Sequence, residues 1–170
     1  MKQALQALSG SLLGLFACLM ISGPVSAADH PQMKEGLWQI DNKSAESSGG
    51  FSDQVCRDHA FDQQGEAEAK AMMGKNCSKW DQNYADGKLT SDMVCKIGGS
   101  VVESKGVVVF QGDTAAHTES HTTYTPPLYG QSETSETQDQ KWLGPCPAGM
   151  QPGDHKDKDG TIRHRTHPAS

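Results

Sequence analysis

The sequence predicts a mainly β protein: a curved antiparallel β-meander, half-barrel or barrel-like, with one short helix and a disulfide-stapled core. Three observations carry this expectation. After Asn76, short β-prone runs alternate with the tight-turn dipeptides Asp86-Gly87, Gly98-Gly99 and Gly112-Asp113, and consecutive strands joined by tight turns pair antiparallel. Only between Asp58 and Met73 does the composition change to Ala, Glu, Gln, Lys and Met, which are good helix formers. Four cysteines, Cys56, Cys77, Cys95 and Cys146, form an even set beyond the N-terminal segment, as expected of a disulfide framework in an oxidising compartment.

The first 28 residues read as a cleaved signal peptide. Lys2 supplies the positive start, residues 12–21 are an apolar run broken only by Gly14, and Val25-Ser26-Ala27 has the small-x-small form of a cleavage site. The run is too short for a permanent membrane span, so no transmembrane segment is expected in the mature chain. A lipoprotein signal acylated at Cys18 is disfavoured, because Phe16 is bulky for that site and residues 19–21 would remain as an apolar start. The expected location is periplasmic or secreted. Lys2 is the one charged residue that leaves, so the formal charge goes from −6 to −7. Nucleic acid and anionic lipid are poor partners for such a surface.

Residues 29–146 are of the size of a single β domain. The mean hydropathy is −0.62 and 6% of residues are aromatic, which leaves a modest core that needs help from other constraints. The first strand is expected over 36–40 and the second over 51–56, beyond a Ser/Gly loop. A short helix is expected over 66–73, with Gly65 as an interruption and Gly74 as a stop. Residues 101–110 carry the densest apolar content and make the expected central strand, with Gly106 marking a bulge or bend.

The strands over 77–84 and 88–97 form an apparent hairpin. A three-residue loop Ala85-Asp86-Gly87 sets Cys77 opposite Cys95, within bonding range, and leaves Cys56 for Cys146. A two-residue Asp86-Gly87 turn would instead put Cys77 across from Lys96. No Cys-x-x-Cys occurs and the spacings match no zinc pattern, so structural bridges are favoured over redox or metal chemistry.

The strands over 117–124 and 131–140 are polar on both alternating faces. They read as an exposed extension or edge of the sheet, or as a wet concave surface that binds something; the first is favoured. His117 and His121 share a face but are four strand residues apart, roughly 13 Å at the usual rise, too far to hold one ion. Residues 147–170 read as a disordered polar tail. There, His155, Asp157 and Asp159 before Gly160 resemble the first half of a calcium loop. His155 stands where that loop needs Asp, and Thr166 where it needs a bidentate Glu. With His164 and His167 these residues are weak metal candidates. No nucleophile elbow, phosphate loop or spaced acid–base set occurs.

Lys34-Glu35-Gly36-Leu37-Trp38, Met93-Val94-Cys95-Lys96 and Lys141-Trp142-Leu143-Gly144-Pro145-Cys146 resemble the bacterial exported family known as domain of unknown function 3617, over roughly 33–146. The resemblance implies a Gram-negative envelope protein without assigned catalytic residues or cofactor. Members often carry Met-rich strands, whereas this chain has Thr, Ser, Glu and His. The residues together favour a non-enzymatic periplasmic module that binds a small ligand or an envelope protein. A metal-handling role for the tail and an unrecognised hydrolase are the alternatives.

Overall fold

The computed structural model describes residues 30–45 and 50–164, so the expected signal peptide and the end of the tail, His167 included, lie outside the described residues. Strands β1 (Gly36–Ser44) and β2 (Phe51–Arg57) precede helix α1 (His59–Asn76). The meander follows as β3 (Cys77–Ala85), β4 (Lys88–Ile97), β5 (Ser100–Gln111), β6 (Ala115–Leu128) and β7 (Gln131–Gly144), then two short strands, β8 (His155–Lys156) and β9 (Ile162–Arg163). Every pairing is antiparallel, in the order β3-β4-β5-β6-β7-β1-β2-β8-β9. The mainly β meander is therefore present as an open sheet, with β3 and β9 at its edges and no closure between them.

The polar strands are not an edge. β6 and β7 lie between β5 and β1, and β7 is the middle strand of the nine. Side-chain polarity is a poor guide here, because a strand's place in a sheet rests on backbone ladder bonds, and Thr suits a pleated surface without being apolar. The apolar β5 is interior but off-centre. Its register runs unbroken through Gly106, with no bulge there, and pairs it with Ser91 and Ser120. A Cβ on Gly106 would lie 3.0 Å from Ser91 Oγ, so the small residues of this row fit closely together.

Helix α1 begins seven residues earlier than expected. Asp58 is its N-cap, with the carboxylate accepting from Phe61 N at 2.7 Å, and a cap of this kind fixes a helix start more firmly than one interior glycine breaks it. Gly65 and Gly74 are inside the helix, where a Cβ at either would meet nothing within 4 Å. Asp62 in the first turn and Lys75 in the last complement the helix dipole. None of the helix's residues is buried. It is held by its ends: Cys56 precedes it by three residues, and Cys77 follows it directly.

The β3–β4 turn has two residues, with Asp86 and Gly87 both at positive φ, the type that matches the twist of a hairpin. From Ala85 to Lys79 this register would bring Cys77 opposite Lys96. A register shift between Cys77 and Lys79 takes up Ser78 and sets Cys77 opposite Cys95 instead. The expected loop length is thus corrected, and a bulge does what the longer loop was expected to do. The sulfurs are joined Cys77 to Cys95 and Cys56 to Cys146.

Among the described residues, two small clusters form the interior. On one face of β1 and β2, the fully buried Trp38 and Val55 stand opposite each other and pack with Met33, Ala116, Phe61, Val108, Phe110 and Trp142. On the other face, Leu37 and Cys56 pack with Met150, Cys146 and Ile162. This explains why Gly36-Leu37-Trp38 does not alternate with polar residues: both sides of the strand are covered. The cover on the second side comes from the segment after Cys146, expected to be a disordered tail. Up to His164 that segment is ordered. Cys56 N donates to Asp154 O and Gly153 N to Cys56 O, and β8 continues the ladder along β2.

Gly36 sits where β1 meets the end of β7. Its φ is +139°, and a Cβ there would lie 2.2 Å from Gly144 O and 2.6 Å from Trp142 Nε1. No side chain fits this approach, so glycine is required by both conformation and space.

Candidate binding surface on the polar strands

Alternation along β6, β7 and β1 leaves one face that is largely polar, with several charged residues. Register aligns His117 of β6, Asp139 of β7, Asp41 of β1 and Ser52 of β2 in a single row. His117 Nδ1 lies 2.6 Å from Asp139 Oδ1, and its Nε2 lies 3.3 Å from Glu119 Oε1. Carboxylates at both ring nitrogens are the surroundings of an imidazolium donating two N–H groups. The Asp139 bond first, and then the Glu119 bond, raise the His117 pKa above its ordinary value. Asp41 opposite Asp139 sets two carboxylates side by side on neighbouring strands, an unfavourable pairing that the charge on His117 offsets.

Two shallow depressions, each of about 530 Å³, adjoin this row and share Asp139. Asp41, Lys43 and Lys158 line one, and His117 and Lys141 line the other. Charges of both signs therefore converge on one side chain near the middle of the sheet.

The His117 pair has a defined pH signature. Because its folded pKa is raised, its contribution to stability is complete below the unfolded value near 6.5 and is lost as pH rises through the folded value. NMR titration of the imidazole is expected to give a pKa above the ordinary histidine range in the wild type and a lower one in Asp139→Asn. Equal values in the two proteins would show that the carboxylate does not hold the proton.

His121, four residues further along β6 on the same face, has Nδ1 3.1 Å from Ser135 Oγ and Nε2 3.8 Å from Glu133 Oε2. The residue types match a hydrolytic triad, but 3.8 Å is too long for the orienting hydrogen bond. The His and Glu side chains are 54% and 64% exposed, so water surrounds them and screens any charge the group could supply.

The tail candidates are drawn into other contacts. His155 Nδ1 lies 2.5 Å from Asp53 Oδ2, and Arg163 binds Asp157 at 2.6 Å. Asp159 accepts from Thr161 N, which lowers its pKa. His164 Nδ1 lies 2.9 Å from the buried Asp154, whose carboxylate also accepts from Gln151 N. The half calcium loop is the turn between β8 and β9, closed by Asp157 N to Thr161 O and Gly160 N to Asp157 O. Among the described residues no three His, Cys, Asp or Glu side chains are placed to hold a metal ion.

The two tryptophan-bearing ends of the domain meet away from this row. Trp38 Nε1 donates to Lys34 O at 2.8 Å and Trp142 Nε1 to Glu35 O at 3.0 Å, while Lys34 Nζ stands 3.9 Å over the Trp142 ring. Trp38 and Trp142 are direct partners in the β1–β7 ladder. The model of a protein family described as "Protein of unknown function (DUF3617)" matches residues 33–146. The chain belongs to the DUF3617 family. The matched DUF3617 span begins at Met33, in the Trp38 cluster, and ends at Cys146, in the bridge to Cys56. β8 and β9 lie beyond it. No curated protein and no solved structure matches this chain.

Proposed function

We propose that this DUF3617 protein is an exported, non-enzymatic module of the bacterial envelope that binds a small polar ligand, or a charged segment of an envelope protein, on the face built by β6, β7 and β1. The observation that carries the reading is the pair of depressions meeting at Asp139, with Lys43, Lys141 and Lys158 around two aspartates and a doubly bonded histidine. Lining groups of both signs suit a ligand that itself carries both an amine and a carboxylate. The two disulfides support an oxidising compartment. Among the described residues no helix is long and apolar enough to cross a membrane.

Glycylglycine is a suitable probe, because it is small and carries one charge at each end. Titrated into ¹⁵N-labelled protein, it should shift the amide signals of Asp41, Lys43, His117 and Asp139, and Asp139→Asn should weaken the response. Acetyl-glycylglycine amide, which lacks both charges, should leave those signals in place. Shifts spread evenly over the sheet, or none at millimolar probe, would refute a site at this row.

A further inference from the structure

We infer that the paired tips of the β4–β5 and β6–β7 hairpins form a contact for the electrically neutral surface of a phospholipid bilayer. This second surface is independent of the Asp139 row.

The tips touch. A Cβ on Gly98 would lie 3.0 Å from Leu128 Cδ1, so Leu128 rests against the Gly98-Gly99 turn. Ile97, at the end of β4, is 49% exposed, and Tyr129 is 96% exposed. The last paired residue of β6 on the β5 side is Thr125, so Pro126, Pro127, Leu128 and Tyr129 project past that ladder. Apolar and aromatic side chains are thus held together at one end of the sheet's strands.

Tyr129 is also in an uncommon backbone state. Its φ is +50°, with Gly130 at +83°, a two-residue turn whose first position favours Asn, Asp or Gly. An aromatic residue there has a local conformational cost of order 1 kcal/mol, with little burial among the described residues to offset it. An amphipathic ring at the headgroup level of a bilayer would supply that offset.

The composition of the tips selects lipid over protein. Residues 97–102 and 122–132 contain no Asp, Glu, Lys, Arg or His, in a chain of which 21% is charged. No charge needs to be desolvated as the tips enter an interface. Lys96 and Glu103 bracket one stretch and His121 and Glu133 the other, so both signs border the patch and neither cationic nor anionic headgroups are strongly favoured. A stable protein interface needs roughly 800 Å² from each partner, and three large side chains with two prolines supply well under that. Shallow insertion into a bilayer has no such minimum.

The test is flotation of the oxidised mature chain with phosphatidylcholine vesicles. The wild type should float with the lipid, equally at low and high salt. The double variant Ile97→Ser/Tyr129→Ser, altered only at exposed positions, should keep its near-ultraviolet circular dichroism and lose binding by about tenfold or more, the scale set by removing two apolar contacts. As a second readout, Tyr129→Trp should be quenched by brominated phosphatidylcholine beyond the quenching of the three native tryptophans. Wild-type protein left in the soluble fraction, a double variant that floats as well, or binding abolished by salt would each overturn the inference. So would Tyr129→Trp quenched no more than the wild type.

Discussion

Trp38→Ala is expected to lower the unfolding free energy by about 3–5 kcal/mol, the range for emptying a buried aromatic site. Trp38 is fully buried in the larger of two small clusters, so little surrounding apolar mass can collapse into the space. Two further losses come with the ring. Lys34 O loses the indole N–H that it accepts from, and the Arg57 guanidinium, 5.2 Å above the ring, loses its platform. Arg57 also binds Asp62 and Gln140, so the damage should reach the start of α1 and β7. Trp38→Phe keeps most of the volume but not the indole donor, and should cost distinctly less. Urea unfolding of the three proteins checks this; a loss under about 1 kcal/mol for Trp38→Ala would mean that the core lies elsewhere.

Removing the Cys56–Cys146 bridge by Cys56→Ala/Cys146→Ala should cost about 4–5 kcal/mol in the loop-entropy picture. The bond spans 90 residues, whereas Cys77–Cys95 spans 18, for which the same relation gives about 3 kcal/mol. The long bridge should therefore rank first. Its loss also opens the cluster of Leu37, Cys56 and Met150 and loosens the segment that carries β8. Comparing denaturation midpoints of the two double variants decides the order. The reverse ranking would mean that the unfolded chain already holds its ends together.

Hairpin grammar made β3 to β7 legible, because Asp86-Gly87 and Gly98-Gly99 act locally. What local signals could not supply was register at a distance. The turn of the β6–β7 hairpin pairs Leu128 with Gln131, a register that would bring His117 opposite Trp142. An irregularity between Thr123 and Leu128 shifts the pairing by three, and His117 meets Asp139. The candidate row therefore depends on that irregularity. Pro126-Pro127 was its one visible sign, since proline interrupts a ladder. The start of α1 is legible in Asp58, whose capping of Phe61 N outweighs the interior Gly65. The order of residues 147–164 is not: their composition is polar, and Met150 and Ile162 become core residues only because Leu37 and Cys56 lie beneath them. Hydropathy misplaces the polar middle strands, because it reflects what covers a face and not which backbone neighbours a strand has.

The placement of β1 between β2 and β7 bears on the timing of folding. Leu37 takes its second ladder partner from Gly144, so β1 stays half-zipped until the chain up to β7 has followed. Long-range closures of this kind slow the search for the native state. Until the closure is made, the bare side of β1 is an open template for a foreign strand. A helper that shields this seam in the newly made chain would raise the yield of folded protein without touching the finished molecule.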